Sequence, residues 1–419
     1  MRYALRISPM FYKGAWNNNV IRLTSAKKRL PVECNSKWKG DNMNRKRIPA
    51  IIVILAIAAM VFSGCSRDKE EGKRPEDISP TPQPTVTLPA EVTPEADDTE
   101  AEGEETLMLE DYYPLEADTE YIYEGEGNEY AGYYRYVDYI DPAKNRIQIR
   151  MNNGGSETVQ VLELKNKSLS VTYQKAECYY RENFMERAAS EGTEVLLQEP
   201  LVQGTSWTLS DGRTRYISGT EVPVSTPHGS FKALEVTTKG EDSMARDYYA
   251  AGMGLVKSEY ESEGILISRS LSSVKRDTAY KQTVAIYHAD VDEKLYMEQT
   301  ELILPTNTDS LTVLEEAMKK EPSKQTRLPL ISKNTKINHI GLKDGGILQV
   351  DFSREFVEEM NAGAGYELLI LQSITNTLGS YYGTSQVWIT LEGKPYESGH
   401  MLLEEGETFE VDYSNVTEE

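Results

Sequence analysis

Between Tyr112 and about Val274, apolar and polar residues alternate in short runs broken by Gly, Asn, Asp and Pro. YRYVDYI from Tyr134, NRIQIRM from Asn145, TVQVLEL from Thr158, SLSVTYQ from Ser168 and FKALEVTT from Phe231 all show a period of two, which sends successive side chains to opposite faces of a strand. Their β-branched and aromatic content, with turn signals about every ten residues, predicts an all-β sheet, sandwich or barrel. MNNGGS and SDGR supply hairpin turns. Only FMERAASE, around Met185, has a briefly helical pattern.

From Thr283 the period changes. A strand TVAIYHA turns at ADVDEK into a second extended run, LYMEQTELIL. Thr308 or Asp309 then offers an N-cap to a helix carrying Leu311, Leu314 and Met318, which Pro322 ends. KINHIGL and ILQVDFS form a hairpin around Asp344-Gly345-Gly346. A second helix, from about Gly365 to Leu378, presents Leu368, Leu371, Ile374 and Leu378 as its buried stripe. VWITLEG closes the unit, and a tail strand around Glu410 is placed to pair with it. The order predicts an α+β domain with two helices on a mixed sheet. Its complete stripes and ordinary domain size predict that residues 279–415 fold alone, after a β-rich domain at 111–276.

The N-terminal part follows a different logic. Arg45-Lys46-Arg47 precedes an apolar run from Ile48 to Phe62, and Ser63, Gly64 and Cys65 follow. Basic, apolar and small-residue stretches in that order read as a secretory signal over residues 43–64, and FSGC resembles the lipobox of bacterial lipoproteins, with Phe62 where that family usually has an aliphatic residue. The resemblance implies acylation of Cys65, by groups such as palmitate. The same run left uncleaved would be a membrane anchor, and in both readings the basic cluster leaves everything after it outside the cytoplasm. Residues 1–42 have no pattern of their own and read as an N-terminal extension, with Met43 a natural start. Residues 65–110 combine prolines with acidic residues and hold almost no large apolar side chains, so they form a disordered tether. The 45 residues after Cys65 would span roughly 35–40 Å even as a flexible coil.

Charge narrows the partners. The chain carries −22, yet its first 64 residues hold 12 Lys or Arg against two acidic residues, so the remainder carries −32. Nucleic acids and anionic lipid surfaces attract the opposite balance, which excludes nucleic acid and leaves the lipid on Cys65 as the membrane contact. Three cysteines are present, at 34, 65 and 178. With Cys34 in the extension and Cys65 acylated, Cys178 is left as a small buried hydrophobe with no disulfide.

Candidate chemistry is sparse. His228, His288, His339 and His400 are far apart and lack the spacing of metal ligands. His288-Ala289-Asp290 could offer two ligands, and ADVDE opens like a calcium loop, but the glycine and distal glutamate such a loop needs are missing. An ordinary strand end and turn explain the same residues. No GxSxG elbow occurs, and EGEGNEYAG, the nearest approach to a phosphate loop, sits between strands. No catalytic, cofactor-binding or metal residues are assigned, and the protein is expected not to be an enzyme. Tyr112, Tyr121, Tyr123, Tyr133, Tyr134, Tyr136 and Tyr139 alternate as sheet residues do; aromatic faces also stack on sugars, which adds peptidoglycan as a partner class. Asn376-Thr377, taken to lie near a helix end, is either a surface contact or a cap.

Two further resemblances rest on blocks of sequence. Tyr112-Tyr113-Pro114-Leu115 and the run from Tyr248 to Lys257, with Trp207 and VPVSTPHGSF between them, resemble a β-rich module of secreted and lipid-anchored bacterial proteins. ILQVDFSREF, QSITNTLGSYYG and VWITLEGKP resemble, in kind and order, the GerMN domain of spore germination proteins. That second resemblance implies a scaffold for envelope proteins, on the outer face of a Gram-positive cell membrane, in sporulation or germination. The family usually has two copies in tandem, and this chain has one. Single copies also occur in actinobacterial lipoproteins associated with a membrane histidine kinase, which makes an accessory sensor the alternative. A cell-wall-binding or hydrolytic protein is the third class.

Overall fold

The computed structural model describes residues 107–189 and 193–418. Cys65, the signal, the extension and the tether to residue 106 lie outside the described residues.

Twelve strands make one antiparallel sheet: β1 (Glu120–Glu126), β2 (Tyr133–Asp141), β3 (Arg146–Asn152), β4 (Glu157–Lys165), β5 (Ser168–Ala176), β6 (Glu194–Gln198), β7 (Ser206–Thr208), β8 (Thr214–Thr226), β9 (Gly229–Lys239), β10 (Ser243–Ala250), β11 (Gly254–Ser262) and β12 (Ile265–Lys275). Sequence neighbours pair throughout except at β6 and β7, and β1 pairs with β12. The two ends of the sheet, β6 and β7, meet through side chains. Trp207 Nε1 and Arg215 Nη1 both donate to the Val195 carbonyl, at 3.0 and 2.7 Å, so the sheet curls into a barrel whose seam is not a strand ladder. An edge covered in this way offers no template for a further strand.

A turn of 3-10 helix, Leu109–Tyr112, and the following Tyr113-Pro114 sit at one mouth of the barrel. The Tyr113 hydroxyl donates to the Leu162 carbonyl at 2.9 Å, and Gly252 N–H donates to the Asp111 carbonyl at 2.7 Å. The two blocks that suggested the β-rich module, far apart in sequence, therefore meet there. Gly254 is needed at the contact: its φ is +78°, and a Cβ would lie 3.4 Å from Pro114 Cδ.

The second region begins with a hairpin of β13 (Tyr280–Ala289) and β14 (Leu295–Leu304), followed by α1 (Ser310–Lys319), which Asp309 caps by accepting from Leu311 N–H. Next come β15 (Ile337–Leu342), β16 (Leu348–Phe352), a short α2 (Glu355–Glu358), α3 (Ala364–Tyr382), β17 (Gln386–Leu391), β18 (Lys394–Pro395), β19 (Phe409–Glu410) and β20 (Val416–Glu418). The tail strand does pair with β17. In place of the single mixed sheet expected, there are two: β13-β14-β20, with β20 parallel to β14, and β15-β16-β17-β18, with β16 parallel to β17.

Several sequence expectations need correction. Of FMERAASE, the described residues 184–189 are not helical. Side chains satisfy the backbone in place of helical hydrogen bonds: Phe184 N–H donates to Gln148 Oε1 at 2.7 Å and Met185 N–H to Asn183 Oδ1 at 3.0 Å, and both side chains are buried. Helix α3 runs to Tyr382, four residues beyond the expected end, and stops at Gly383 in the left-handed region with φ +68°. Leu368 is 49 % exposed and lies off the buried stripe; Glu367 is turned inward instead, where its carboxylate accepts from the Tyr396 hydroxyl at 2.8 Å.

The second region does not close on itself. Its core of Leu314, Met318, Val350, Phe352, Leu371, Ile374 and Ile389 is continuous with Tyr139, Val159, Val161, Cys178, Tyr180, Phe184 and Met185, all from the first region. Strand β20 also lies beyond residue 415. The expectation that 279–415 folds alone therefore conflicts with the packing, because the outer face of β2–β5 supplies one wall of its core.

Candidate functional site

The joint between the regions is polar at its centre. A bulge in β2, between Val137 and Tyr139, pushes Asp138 out of register toward the second region. Asp138 is fully buried and pairs with Arg150 Nη2 at 3.2 Å, while Gln148 Nε2 donates to its Oδ2 at 3.2 Å. Arg150 also pairs with Glu157 and donates to the carbonyls of Cys178 and Tyr180, at 2.8 and 3.0 Å. Arg181 donates from Nη2 to the carbonyls of Asp138, at 2.7 Å, and Pro305, at 2.8 Å, so one guanidinium bridges the two regions. Burial opposes the Arg150 charge, but Asp138 and Glu157 outweigh it and hold the guanidinium above its usual range. Two arginines stand against two carboxylates in the cluster, and the buried Arg181 Nε and Nη1 find no hydrogen-bond acceptor among the described residues. Cys178 beside it is buried, and burial pushes its thiol up to about 12, which removes the thiolate that nucleophilic chemistry needs.

Among the other sequence candidates, His288 and Asp290 are buried, not on the surface. His288 Nδ1 lies 3.1 Å from the Leu328 carbonyl; Asp290 accepts from Thr326 Oγ1 at 3.0 Å and faces Arg327 Nε at 3.5 Å. Both are thus tied into the connection between α1 and β15. His228, His339 and His400 are exposed and separate, and among the described residues no group of three His, Cys, Asp or Glu side chains converges on a point. Asn376-Thr377 is well inside α3, not near its end: Asn376 Nδ2 donates to the Asp412 carbonyl at 2.6 Å, and Thr377 Oγ1 accepts from Tyr287 N–H at 3.0 Å. The pair ties α3 to the tail and to β13. Of the sheet tyrosines, 112, 121, 123, 136 and 139 are buried, whereas Tyr134 is exposed on the outside.

The barrel interior is the place the sequence reading missed. A cavity of about 320 Å³ lies between β1–β6 and β10–β12, walled by Val137, Ile149, Leu162, Leu169, Val171 and Leu196. Arg135, Asp247 and Arg269 project into this apolar space. The sequence held an unread signal for the first of them: Arg135 stands between Tyr133 and Val137 on one face of the alternating run of β2. Its guanidinium lies over the rings of Tyr121 at 4.1 Å and Tyr123 at 5.8 Å. Asp247 is raised above the usual carboxylate range, chiefly by burial, which Ser258, Arg215 and Arg269 only partly offset. A second hollow of about 280 Å³ shares Tyr133, Met151, Leu255 and Arg269 with the first and reaches exposed Tyr130 and the β3–β4 turn.

No curated protein matches the chain. Residues 285–397 match the model of the Germane family, described as sporulation and spore germination. The C-terminal region is a GerMN-like domain. Among solved structures, the tandem GerMN domains of the sporulation protein GerM from Bacillus subtilis are similar at 18 % identity over 30 % of this chain, with a TM-score of 0.24. This chain spans 45 % of that structure's length. The first GerMN domain of the same protein is similar at 22 % identity over 29 % of this chain and 94 % of its own, with a TM-score of 0.23. A protein from Bacteroides fragilis, described as exported and YmcC-like in fold, is similar at 13 % identity over 39 % of this chain and 99 % of its own, with a TM-score of 0.25. The GerMN-like domain thus links this chain to sporulation and germination proteins.

Proposed function

We propose that this chain is a lipid-anchored extracytoplasmic protein that uses its GerMN-like domain as a docking module for envelope proteins during sporulation or spore germination. The family match over residues 285–397 carries the reading. It is supported by the order of signal, Cys65 and acidic tether, which would hold the folded part off the outer face of the membrane. In this role the protein performs no chemistry. The match describes sporulation and germination and not signalling, which favours this reading over a kinase accessory.

The test is genetic and uses the native host. Deleting the gene should impair spore formation or germination while leaving vegetative growth intact, and the wild-type copy should restore it. Cys65→Ser should fail to take up labelled fatty acid and should restore spores poorly at normal abundance. A null strain that sporulates and germinates normally but shows an envelope defect in growth would overturn the sporulation role. Equal labelling of Cys65→Ser and wild type would overturn the anchor.

A further inference from the structure

We propose that the barrel interior is a binding site for a single-chain amphiphile with an anionic head, the chain lying against the aliphatic wall and the head meeting Arg135. Small-molecule sites are concave, largely apolar and furnished with a few convergent polar groups, within about 300–1,000 Å³, and the cavity of about 320 Å³ falls in that class. Its wall is the inward face of β2–β5, where Val137, Ile149, Leu162, Leu169 and Val171 leave the space unfilled.

Arg135 decides the sign of the ligand. A charge held away from water is expensive unless it is paired, yet among the described residues half-buried Arg135 has no carboxylate partner, only the phenols of Tyr121, which also hydrogen-bonds it, Tyr123 and Tyr133. Its buried Nε also lacks a hydrogen-bond acceptor. Tyr121, its ring centre 4.1 Å from Cζ, helps hold the guanidinium in place, and a planar fork of donors suits two oxygens of a carboxylate or phosphate. The remaining charges in the cavity do not cancel it. Glu194 is engaged by Arg215 at 3.2 Å. Asp247 has Arg215 and Arg269, not Arg135, as its cationic neighbours, and Arg269, anchored through Nε on the Ala131 carbonyl at 3.0 Å, lies where the cavity joins the outer hollow. A ligand would enter past Tyr130 and Arg269, since Tyr113 and Pro114 occupy the other mouth. The source of the anion, a fatty acid or a phosphorylated lipid, is separated by the test.

Membranes carrying the full chain are incubated with a diazirine analogue of dodecanoate and irradiated, and adducts are mapped by peptide mass spectrometry. Adducts should fall on residues 146–171, where inward side chains line the cavity. Dodecanoate should compete, dodecyl phosphate should compete better only if the natural head is a phosphate, and dodecyltrimethylammonium should not compete. Arg135→Gln should lower the cavity adducts at least about tenfold, equivalent to about 1.4 kcal/mol, while surface labelling stays constant. Leu196→Trp, which fills the space without touching the charge, should abolish them in a chain that still melts cooperatively. Adducts confined to exposed residues, an unchanged yield in either variant, or equal competition by the cationic amphiphile would overturn the proposal.

Discussion

The two regions solve the problem of an interior differently. In the GerMN-like domain, α1 and α3 press Leu314, Met318, Leu371 and Ile374 against Val350, Phe352 and Ile389, and each of these side chains is almost fully buried. In the barrel the strands wrap a space that their own side chains do not fill, and Arg135, Asp247 and Arg269 face into it. A close-packed interior contributes stability and little else. An interior left open, with Arg135 lacking a carboxylate partner among the described residues, forgoes that stability and is the space the proposed amphiphile would fill. The sheet between them faces both ways, so the same strands carry a ligand-sized cavity on one side and the wall of a packed core on the other.

The most damaging way to break this comparison is to cut it at the joint. A fragment of residues 279–419 alone would expose the side chains that now pack on Tyr139, Val161, Tyr180 and Phe184. It should lack a cooperative thermal transition, whereas the chain from residue 107 should retain one. A sharp melt of the isolated fragment would show that the shared core is dispensable. Next in size is the charge cluster. Arg150→Leu strips Glu157 of its buried cation and leaves Asp138 only the more distant Arg181, at 3.6 Å, and breaking a buried pair by removing one partner costs about 3–5 kcal/mol. Urea unfolding measures this, and a loss below about 1 kcal/mol would mean that water enters the joint.

How legible this was in the sequence follows from which signals are local. Alternation in YRYVDYI and TVQVLEL located strands because the period of two survives any tertiary arrangement, and Asp344-Gly345-Gly346 located a hairpin because the turn imposes its own geometry. The helical reading of FMERAASE failed because the propensity of an isolated segment says nothing about a sheet that buries Phe184 and Met185 together. Leu368 failed for a related reason: a stripe of four leucine-like positions drifts on a 3.6-residue period, so its first member left the core while Glu367 found Tyr396. Asp138 was beyond reach, since a bulge depends on the partner strand's register. Arg135 was not beyond reach. An arginine on the inward side of an alternating strand departs from that pattern, and it lines the cavity.

Truncating equivalent leucines should separate a filled interior from an open one. Leu371→Ala removes a side chain with no exposed surface from the packed core and should cost about 2–5 kcal/mol. Leu196→Ala enlarges a space that already exists, and its partly exposed side chain should cost only about 1 kcal/mol or less. Denaturation midpoints of the two variants at equal slope are the measurement. Equal losses would show that the barrel interior is as tightly packed as the other.

The smallest effect, and the finest discrimination, is in pH, where the two regions should respond with opposite sign. His288 in β13 is buried, and burial lowers its pKa; the Leu328 carbonyl and Glu298 favour the charged ring, while Arg327 opposes it, and the net shift is downward. A histidine ordinarily titrates near about 6.5, so below that pH the unfolded chain binds more protons at this position than the folded one, and stability falls as pH drops through it. At pH 7 and above the contribution is fully present. Asp247 in the barrel is shifted the other way, upward and chiefly by burial. The folded chain then holds its proton more tightly than the unfolded chain, so the cost of burying the carboxylate is full at neutral pH and is relieved as pH falls through the folded pKa. His288→Gln keeps an N–H donor for Leu328 and removes the titration; it should flatten the loss of stability between about pH 7 and 5.5. Asp247→Asn should instead raise stability at pH 7 and change it least in acid. Midpoints of urea unfolding across that range separate the two variants. If both variants moved the curve in the same direction, the buried imidazole and the cavity carboxylate would not be the groups that set it.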